Sequence, residues 1–176
     1  MQIQNVVASV NLERKLSLEK LLESLDKSEY QPDTFPGLVY RINNPSATFL
    51  IFQTGKIICI GSKTIAQAKQ AVGELVKIFR GLGMKMPKEY KINVENIVVT
   101  DTLGEKINVD ELVFSLPESE YTPDTFPGVV YRITDPKVSF LIFGSGKIVC
   151  AGAKTIADSK KAVDILRKKL KSIGVL

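Results

Sequence analysis

The sequence predicts an α+β fold built from two pseudo-symmetric repeats, and three observations carry that expectation. First, the chain matches itself at an offset of 91 residues: Tyr30 falls on Tyr121, Phe35 on Phe126, and Lys63-Thr64-Ile65-Ala66 on Lys154-Thr155-Ile156-Ala157. About 40 of the 85 aligned positions are identical without a gap, and self-similarity of this kind outranks any local signal in deciding architecture. Second, each copy holds short β-rich runs separated by brief turn signals, as antiparallel hairpins require. Third, each copy closes on one long amphipathic segment. Residues 1–85 make the first repeat, 86–91 ("MPKEYK") a linker, and 92–176 the second repeat.

Taken in order, "IQNVVASV" (3–10) is rich in β-branched residues and predicts a strand. "SLEKLLESL" (17–25) spaces Leu18, Leu21, Leu22 and Leu25 helically, with Ser17 as N-cap. Lys20 stands where a capping box would place Glu. "YQPDTFPG" (30–37) clusters Pro, Asp and Gly and predicts a turn, with Phe35 set among residues that normally surround polar tips. "LVYRI", "ATFLIF" and "KIICI" predict three strands, divided at Asn43-Asn44-Pro45 and at Thr54-Gly55. From Thr64 to Gly81 the apolar positions Ile65, Ala68, Val72, Leu75, Val76 and Phe79 keep helical spacing. "GLGMKMP" (81–87) then stops the helix. The second copy repeats the series.

One long helix covers only one face of a sheet, so the other face should be polar. It is not. In "ATFLIF", Phe49 and Ile51 share one face, and Leu50 and Phe52 the other. In "KIICI", Ile57 and Cys59 oppose Ile58 and Ile60, and in the first strand Val6, Ala8 and Val10 oppose Asn5, Val7 and Ser9. Two explanations stand: the sheets pack on one another as a sandwich, or the second apolar face is a binding surface.

Composition narrows the function. Hydrophobic residues make up 44% and charged residues 24%, as in globular domains. The chain has no His and two cysteines, which excludes a His-based triad and a standard four-ligand zinc site. No catalytic residue, metal or cofactor is expected. Cys59 and Cys150 occupy matched strand positions and read as small buried hydrophobes; a thiol enzyme would lack its base. "GSGK" (144–147) ends like a phosphate loop, but Ile148 follows the Lys where Ser or Thr is needed, so it reads as a hairpin turn. No apolar run reaches the roughly 18–20 residues of a membrane span. The start "MQIQNVVASV" lacks a basic n-region and cleavage site, so a soluble intracellular protein with no membrane role is expected.

The net charge of +5 and pI of about 9.1 permit a polyanionic partner. Charge does not follow the repeat. Residues 1–85 carry 11 basic and 7 acidic side chains, and residues 92–176 carry 11 of each. The second copy is acidic early (Asp101, Glu105, Asp110, Glu111, Glu118, Glu120, Asp124) and basic late (Lys160, Lys161, Arg167, Lys168, Lys169, Lys171). Lys69, Lys77 and Arg80 hold the corresponding helix of the first copy. Two halves of unlike surface suit unlike partners.

"NVVASVNL", "YQPDTFPGLVYRI" and "ATFLIFQTGKIICIGSK", with their second copies, resemble the TATA-box-binding protein family over the whole chain, in its archaeal form more than its nuclear one. The resemblance implies a saddle: a curved antiparallel ten-stranded sheet with helices on the convex face and the concave face on a DNA minor groove. It implies a general transcription initiation factor, not an enzyme, that binds an A·T-rich promoter element (the TATA box). Such a factor kinks double-stranded DNA with phenylalanine wedges and recruits transcription factor B and the RNA polymerase machinery. By motif position the wedges are Phe35, Phe52, Phe126 and Phe143. Apolar wedges between base steps unstack and bend a duplex. The base-contacting floor is Asn5, Val7, Leu50, Ile58 and Ile60 in the first copy, and Asn96, Val98, Leu141, Val149 and Ala151 in the second. Phosphate contacts fall to Arg41, Thr54, Lys56 and Lys63, and to Arg132, Ser145, Lys147 and Lys154. Glu118, Glu120 and Asp124 resemble the surface that meets transcription factor B. The family often has Thr where this chain has Ile60 and Ala151, which removes two central hydrogen-bonding groups. The implied location is the archaeal cytoplasm at the nucleoid, or the nucleus for a eukaryotic chain. The rival reading is a protein-interaction module, or a homodimer in the absence of DNA, using the apolar sheet face.

Overall fold

A computed structural model describes all residues, Met1–Leu176. The chain forms two compact units: Asn5–Glu95, and Asn96–Leu176 together with Met1–Gln4. The first contains β1 (Gln2–Asn11, less its opening residues), α1 (Leu18–Ser24), β2 (Leu38–Asn43), β3 (Ser46–Ile51), β4 (Lys56–Ser62) and α2 (Ile65–Gly81). The second contains β5 (Ile92–Thr102), α3 (Val109–Ser115), β6 (Val129–Thr134), β7 (Lys137–Ile142), β8 (Lys147–Ala153) and α4 (Ile156–Ser172).

Each unit builds an antiparallel sheet, in order β2-β3-β4-β1 in the first and β5-β8-β7-β6 in the second. Registers agree between repeats residue for residue. Val39↔Leu50 and Leu50↔Ile58 in the first become Val130↔Leu141 and Leu141↔Val149 in the second. Thr48↔Ile60 becomes Ser139↔Ala151. The β2–β3 and β6–β7 hairpins turn at Asn44-Pro45 and Asp135-Pro136, whose peptide bonds are cis.

Eight strands form, not the ten expected. The segment after each short helix makes a single backbone bridge, Glu29↔Val39 and Glu120↔Val130, instead of a strand. The reason is local. Two residues on, the carbonyl of Gln31 accepts from the N–H groups of Thr34 and Phe35 at 3.0 and 2.9 Å, so the chain has already turned. Pro32 follows with no N–H to offer a ladder. Thr122 and Pro123 repeat the arrangement, with Thr125 and Phe126 as donors.

The helices begin on side-chain caps, which satisfy otherwise orphaned N–H groups. Thr64 Oγ1 accepts from Gln67 N at 3.0 Å and Thr155 Oγ1 from Asp158 N at 3.0 Å. Ser17 caps α1 through Lys20 N at 3.4 Å, as its spacing predicts. Helix α2 turns Ala68, Ala71, Val72, Leu75 and Phe79 inward. It lies over β3 and β4, whose inward residues Phe49, Ile51, Ile57 and Cys59 are fully buried. Helix α4 covers β8 in the same way through Ala162, Val163, Leu166 and Leu170. No helix is long and apolar enough to cross a membrane.

Candidate nucleic-acid interface

The sheet face that the helices leave uncovered carries the predicted floor. Asn5, Val7, Leu50, Ile58 and Ile60 are all half-buried, as are Asn96, Val98, Leu141, Val149 and Ala151. Their strand neighbours of opposite parity, such as Val6, Ala8, Phe49, Cys59, Ile97, Val99, Phe140 and Cys150, are buried. Both faces are therefore apolar, and solvent reaches one of them.

The two asparagines have a fixed orientation. Asn5 Oδ1 accepts from Gly61 N at 2.8 Å, and Asn96 Oδ1 accepts from Gly152 N at 2.7 Å. A backbone N–H can only donate, so the amide oxygen must face it and the NH₂ group must face away. Each asparagine thus keeps its NH₂ donors unused within the chain. Gly61 and Gly152 hold φ of 94° and 113°, a region open to glycine.

The four predicted wedges form two pairs. Phe35 meets Phe52 edge to face at 5.8 Å between ring centres, and Phe126 meets Phe143 at 5.9 Å. Phe126 is 37% exposed and the other three are half-buried. Their backbones are pinned. Phe35 N donates to Gln31 O at 2.9 Å; Phe52 N donates to Lys56 O and Phe52 O accepts from Gly55 N, both at 2.9 Å. The Pro-Gly after the first wedge has a steric purpose: a Cβ on Gly37 would sit 2.7 Å from Phe35 Cε1 and 3.1 Å from Phe52 Cε1. At Gly128 the same distances to Phe126 and Phe143 are 2.7 and 3.0 Å. Glycine leaves the space the ring pair occupies.

The "GSGK" segment is a turn, as expected. Gly146 N donates to Phe143 O at 2.8 Å, Gly146 O accepts from Leu103 N at 2.8 Å, and φ is 83°. Thr54, Lys56, Ser145 and Lys147 are exposed at the ends of these turns, and Lys63 and Lys154 are exposed beyond β4 and β8. Arg41 and Arg132, predicted for phosphate, each engage an acid: Glu29 at 3.3 Å and Glu120 at 2.6 Å. Glu120 is therefore tied to Arg132, while Glu118 and Asp124 are exposed. Both members of these pairs lie more than half exposed, so each pair is weak and can open. On α4, Arg167 reaches back to the carbonyls of Leu103 and Thr102 and to Asp101 Oδ2, so it braces the second unit. Cys59 and Cys150 are buried and unbridged, and burial pushes the Cys150 thiol up to about 11.

Comparison with known proteins decides the family. A family model described as transcription factor TFIID (or TATA-binding protein, TBP) matches residues 1–82 and 91–173, one match per repeat. The chain belongs to the TATA-binding protein family. A TATA-box-binding protein of Pyrobaculum islandicum is 46% identical over 175 residues, covering 99% of this chain and 88% of that one. One from Pyrococcus abyssi is 40% identical over 176 residues, covering 100% and 92%. Among solved structures, the TBP of Methanococcus jannaschii matches with a TM-score of 0.89 at 38% identity, covering 97% of this chain and 98% of that one. The fold class is that of the TATA-binding protein family.

Within that family fold, the predicted floor left out several groups on or beside the open face. Ser9 Oγ donates to Glu95 Oε1 at 2.6 Å, and Gln4 Nε2 donates to Thr100 Oγ1 at 2.9 Å. These are matched positions with donor and acceptor roles exchanged. Val39 and Val130 extend the apolar rows, pairing with Leu50 and Leu141. Thr48 and Ser139 stand beside Ile60 and Ala151. Val39, Thr48, Val130 and Ser139 share parity with predicted floor residues across a hairpin, and Ser9 and Thr100 share it along their own strands, whereas Gln4 and Glu95 lie on the opposite parity.

Proposed function

We propose that this protein is an archaeal general transcription initiation factor that seats its two open sheet faces in the minor groove of an A·T-rich promoter element and bends it. The observation that carries the reading is the pairing of an apolar, solvent-reached face with unused amide donors at Asn5 and Asn96. A·T pairs offer only acceptors in the minor groove, and G·C pairs add an amino donor. These NH₂ groups satisfy the former. An apolar floor leaves the latter unpaired, at roughly 1–3 kcal/mol.

Each repeat, residues 1–85 or 92–176, takes one half of the site, with 86–91 as the joint. Phe35 with Phe52, and Phe126 with Phe143, wedge the two ends. Arg41, Thr54, Lys56, Lys63, Arg132, Ser145, Lys147 and Lys154 clamp phosphates, Arg41 and Arg132 after release from Glu29 and Glu120. Smooth bending of a short site costs roughly 1–10 kcal/mol, which floor burial, wedge contacts and counterion release must offset. Glu118, Glu120 and Asp124 form the surface for transcription factor B, through which polymerase is recruited. That segment follows directly on α3, whose Phe114 is 89% exposed and offers a partner an apolar anchor. The protein has no catalytic step in this role, and it works in the archaeal cytoplasm on the nucleoid.

The test is a fluorescence bending assay on A·T-rich duplexes with wild type and a Phe35→Ala, Phe126→Ala double variant. Wild type should bend the duplex, with affinity falling steeply as salt rises, and the variant should not bend it. Bending that survives in the variant refutes the wedges. A wild type whose apolar face instead holds a protein partner or a second copy, with no salt-dependent DNA binding, refutes the function.

A further inference from the structure

The open face is apolar apart from its asparagines and a few hydroxyls, and the hydroxyls differ in what they do. Ser9 and Thr100 are engaged by Glu95 and Gln4. The hydroxyls of Thr48 and Ser139 make no hydrogen bond within the chain. They are half-buried, occupy matched positions, and face the floor across from Ile60 and Ala151. Each row runs outward to an arginine: Arg41–Thr48–Ile60 in the first repeat, Arg132–Ser139–Ala151 in the second.

The two rows are unequal in shape. Ile60 puts four side-chain carbons where Ala151 has one. In the second repeat a hollow of about 550 Å³ opens there, lined among others by Arg132, Lys137, Ser139, Ala151 and Gly152. It is bounded by a free hydroxyl, and Gly152 is the residue that fixes Asn96.

We propose that Ser139 and Ala151 form a base-reading subsite in the second repeat that accepts the exocyclic amino group of guanine. This deepens the minor-groove reading and rests on it. The guanine amino group is the one donor the minor groove can present. Against a plain apolar floor it goes unpaired, at a cost of roughly 5- to 150-fold in affinity. Over Ala151 there is room for it, and the Ser139 hydroxyl has a lone pair free to accept from it. Over Ile60 the side chain fills the corresponding place, so the Thr48 hydroxyl is not reached. The second repeat therefore tolerates a G·C pair at one position where the first rejects it. That difference orients a nearly symmetric protein on its site: a single G·C pair at either of two dyad-related positions draws the second repeat over itself.

The experiment measures affinity of the full chain for A·T-rich duplexes in which one position at a time is G·C or inosine·C. Inosine differs from guanine in the minor groove only by lacking the amino group. For wild type the guanine-to-inosine penalty should be below about 3-fold at two dyad-related positions and above about 10-fold at other central positions. Placing guanine at both of the tolerant positions together should restore the full penalty. Ser139→Ala and Ala151→Ile should each raise the guanine-to-inosine penalty at those positions to about 10-fold, each read against the same variant's affinity for the inosine duplex. Ile60→Ala should allow guanine at both together. A wild-type penalty equal at every position overturns the proposal, as does a Ser139→Ala loss that is uniform across guanine and inosine duplexes, which marks a phosphate contact. If no A·T-rich duplex is bound at all, the minor-groove reading itself fails.

Discussion

Replacing Gly37 and Gly128 by Ala separates wedge placement from folding. Neither glycine adopts the left-handed conformation, so alanine is compatible with the backbone at both. The new methyl would lie 2.7 Å from the edge of the first ring of each pair and 3.0–3.1 Å from the second. Carbon atoms prefer about 3.5–4.0 Å, so the first ring must retreat by roughly 0.8–1.3 Å. The rings are partly exposed and can move. The cost to stability is bounded by the edge-to-face contact they give up, about 0.5–1.5 kcal/mol per pair. At roughly 2–4 °C per kcal/mol for a domain of this size, melting should fall by about 6 °C or less for either single variant. DNA is less forgiving. Bases stack about 3.4 Å apart along a strand, so a ring displaced by about 1 Å is out of line with the step it must enter. The Gly37→Ala, Gly128→Ala double variant should bind an A·T-rich duplex at least about 10-fold more weakly and bend it less, read by end-to-end fluorescence transfer, while remaining folded by circular dichroism. Unchanged bending and affinity in a folded double variant would refute the claim that these glycines position the wedges.

Gly146→Ala should behave oppositely. Its φ is 83°, and a Cβ would stand 1.9 Å from the backbone oxygen of Glu105, so no side-chain motion relieves the clash. A loss of about 3 kcal/mol or more is expected, a fall of roughly 6–12 °C in melting temperature; a shift under 2 °C would show that the loop yields freely. Asn96→Asp keeps an oxygen for Gly152 N–H but exchanges the NH₂ for a carboxylate oxygen. Melting should barely move while duplex affinity drops about 100-fold, and retained affinity would mean that this amide does not face base acceptors. For Asp101, burial pushes the carboxyl up. The N-terminal ammonium, the Thr102 backbone N–H and Arg167 outweigh that and hold it below the ordinary carboxylate value. A depressed folded value means its contribution is complete above the unfolded pKa of about 3.9 and is lost as pH falls through the folded one. Asp101→Asn should therefore cost about 1 kcal/mol or more at pH 7, with the gap to wild type closing below about pH 4 in urea titrations. A gap constant from pH 7 to pH 3 would remove the ionic contribution.

The repeat and its hairpins were legible because they rest on properties a sequence displays directly: a gapless offset and period-two alternation. The open apolar face was legible for a negative reason. Leu50, Ile58 and Val149 sit at parities that a helix-backed sheet should have given to polar residues. The missing strand at Glu29 and Glu120 was not legible, because a turn begun at Gln31 or Thr122 competes with the ladder and only geometry says which prevails. Arg41 and Arg132 read as free cations because their acids lie twelve residues earlier, across a loop. Arg167 belonged to a run of basic residues in one dimension and to the Asp101 corner in three. Thr48 and Ser139 share the parity of the floor, but only the fold shows that their hydroxyls have no partner.

The locked amides of Asn5 and Asn96 bear on the tempo of recognition. Their hydrogen-bonding polarity is settled before any ligand arrives, held by main-chain groups that cannot rotate away. A surface already cast in its final form loses little side-chain freedom on docking. The slow partner in the encounter should then be the nucleic acid, and the association rate should follow the flexibility of each promoter sequence more closely than any change made to the protein.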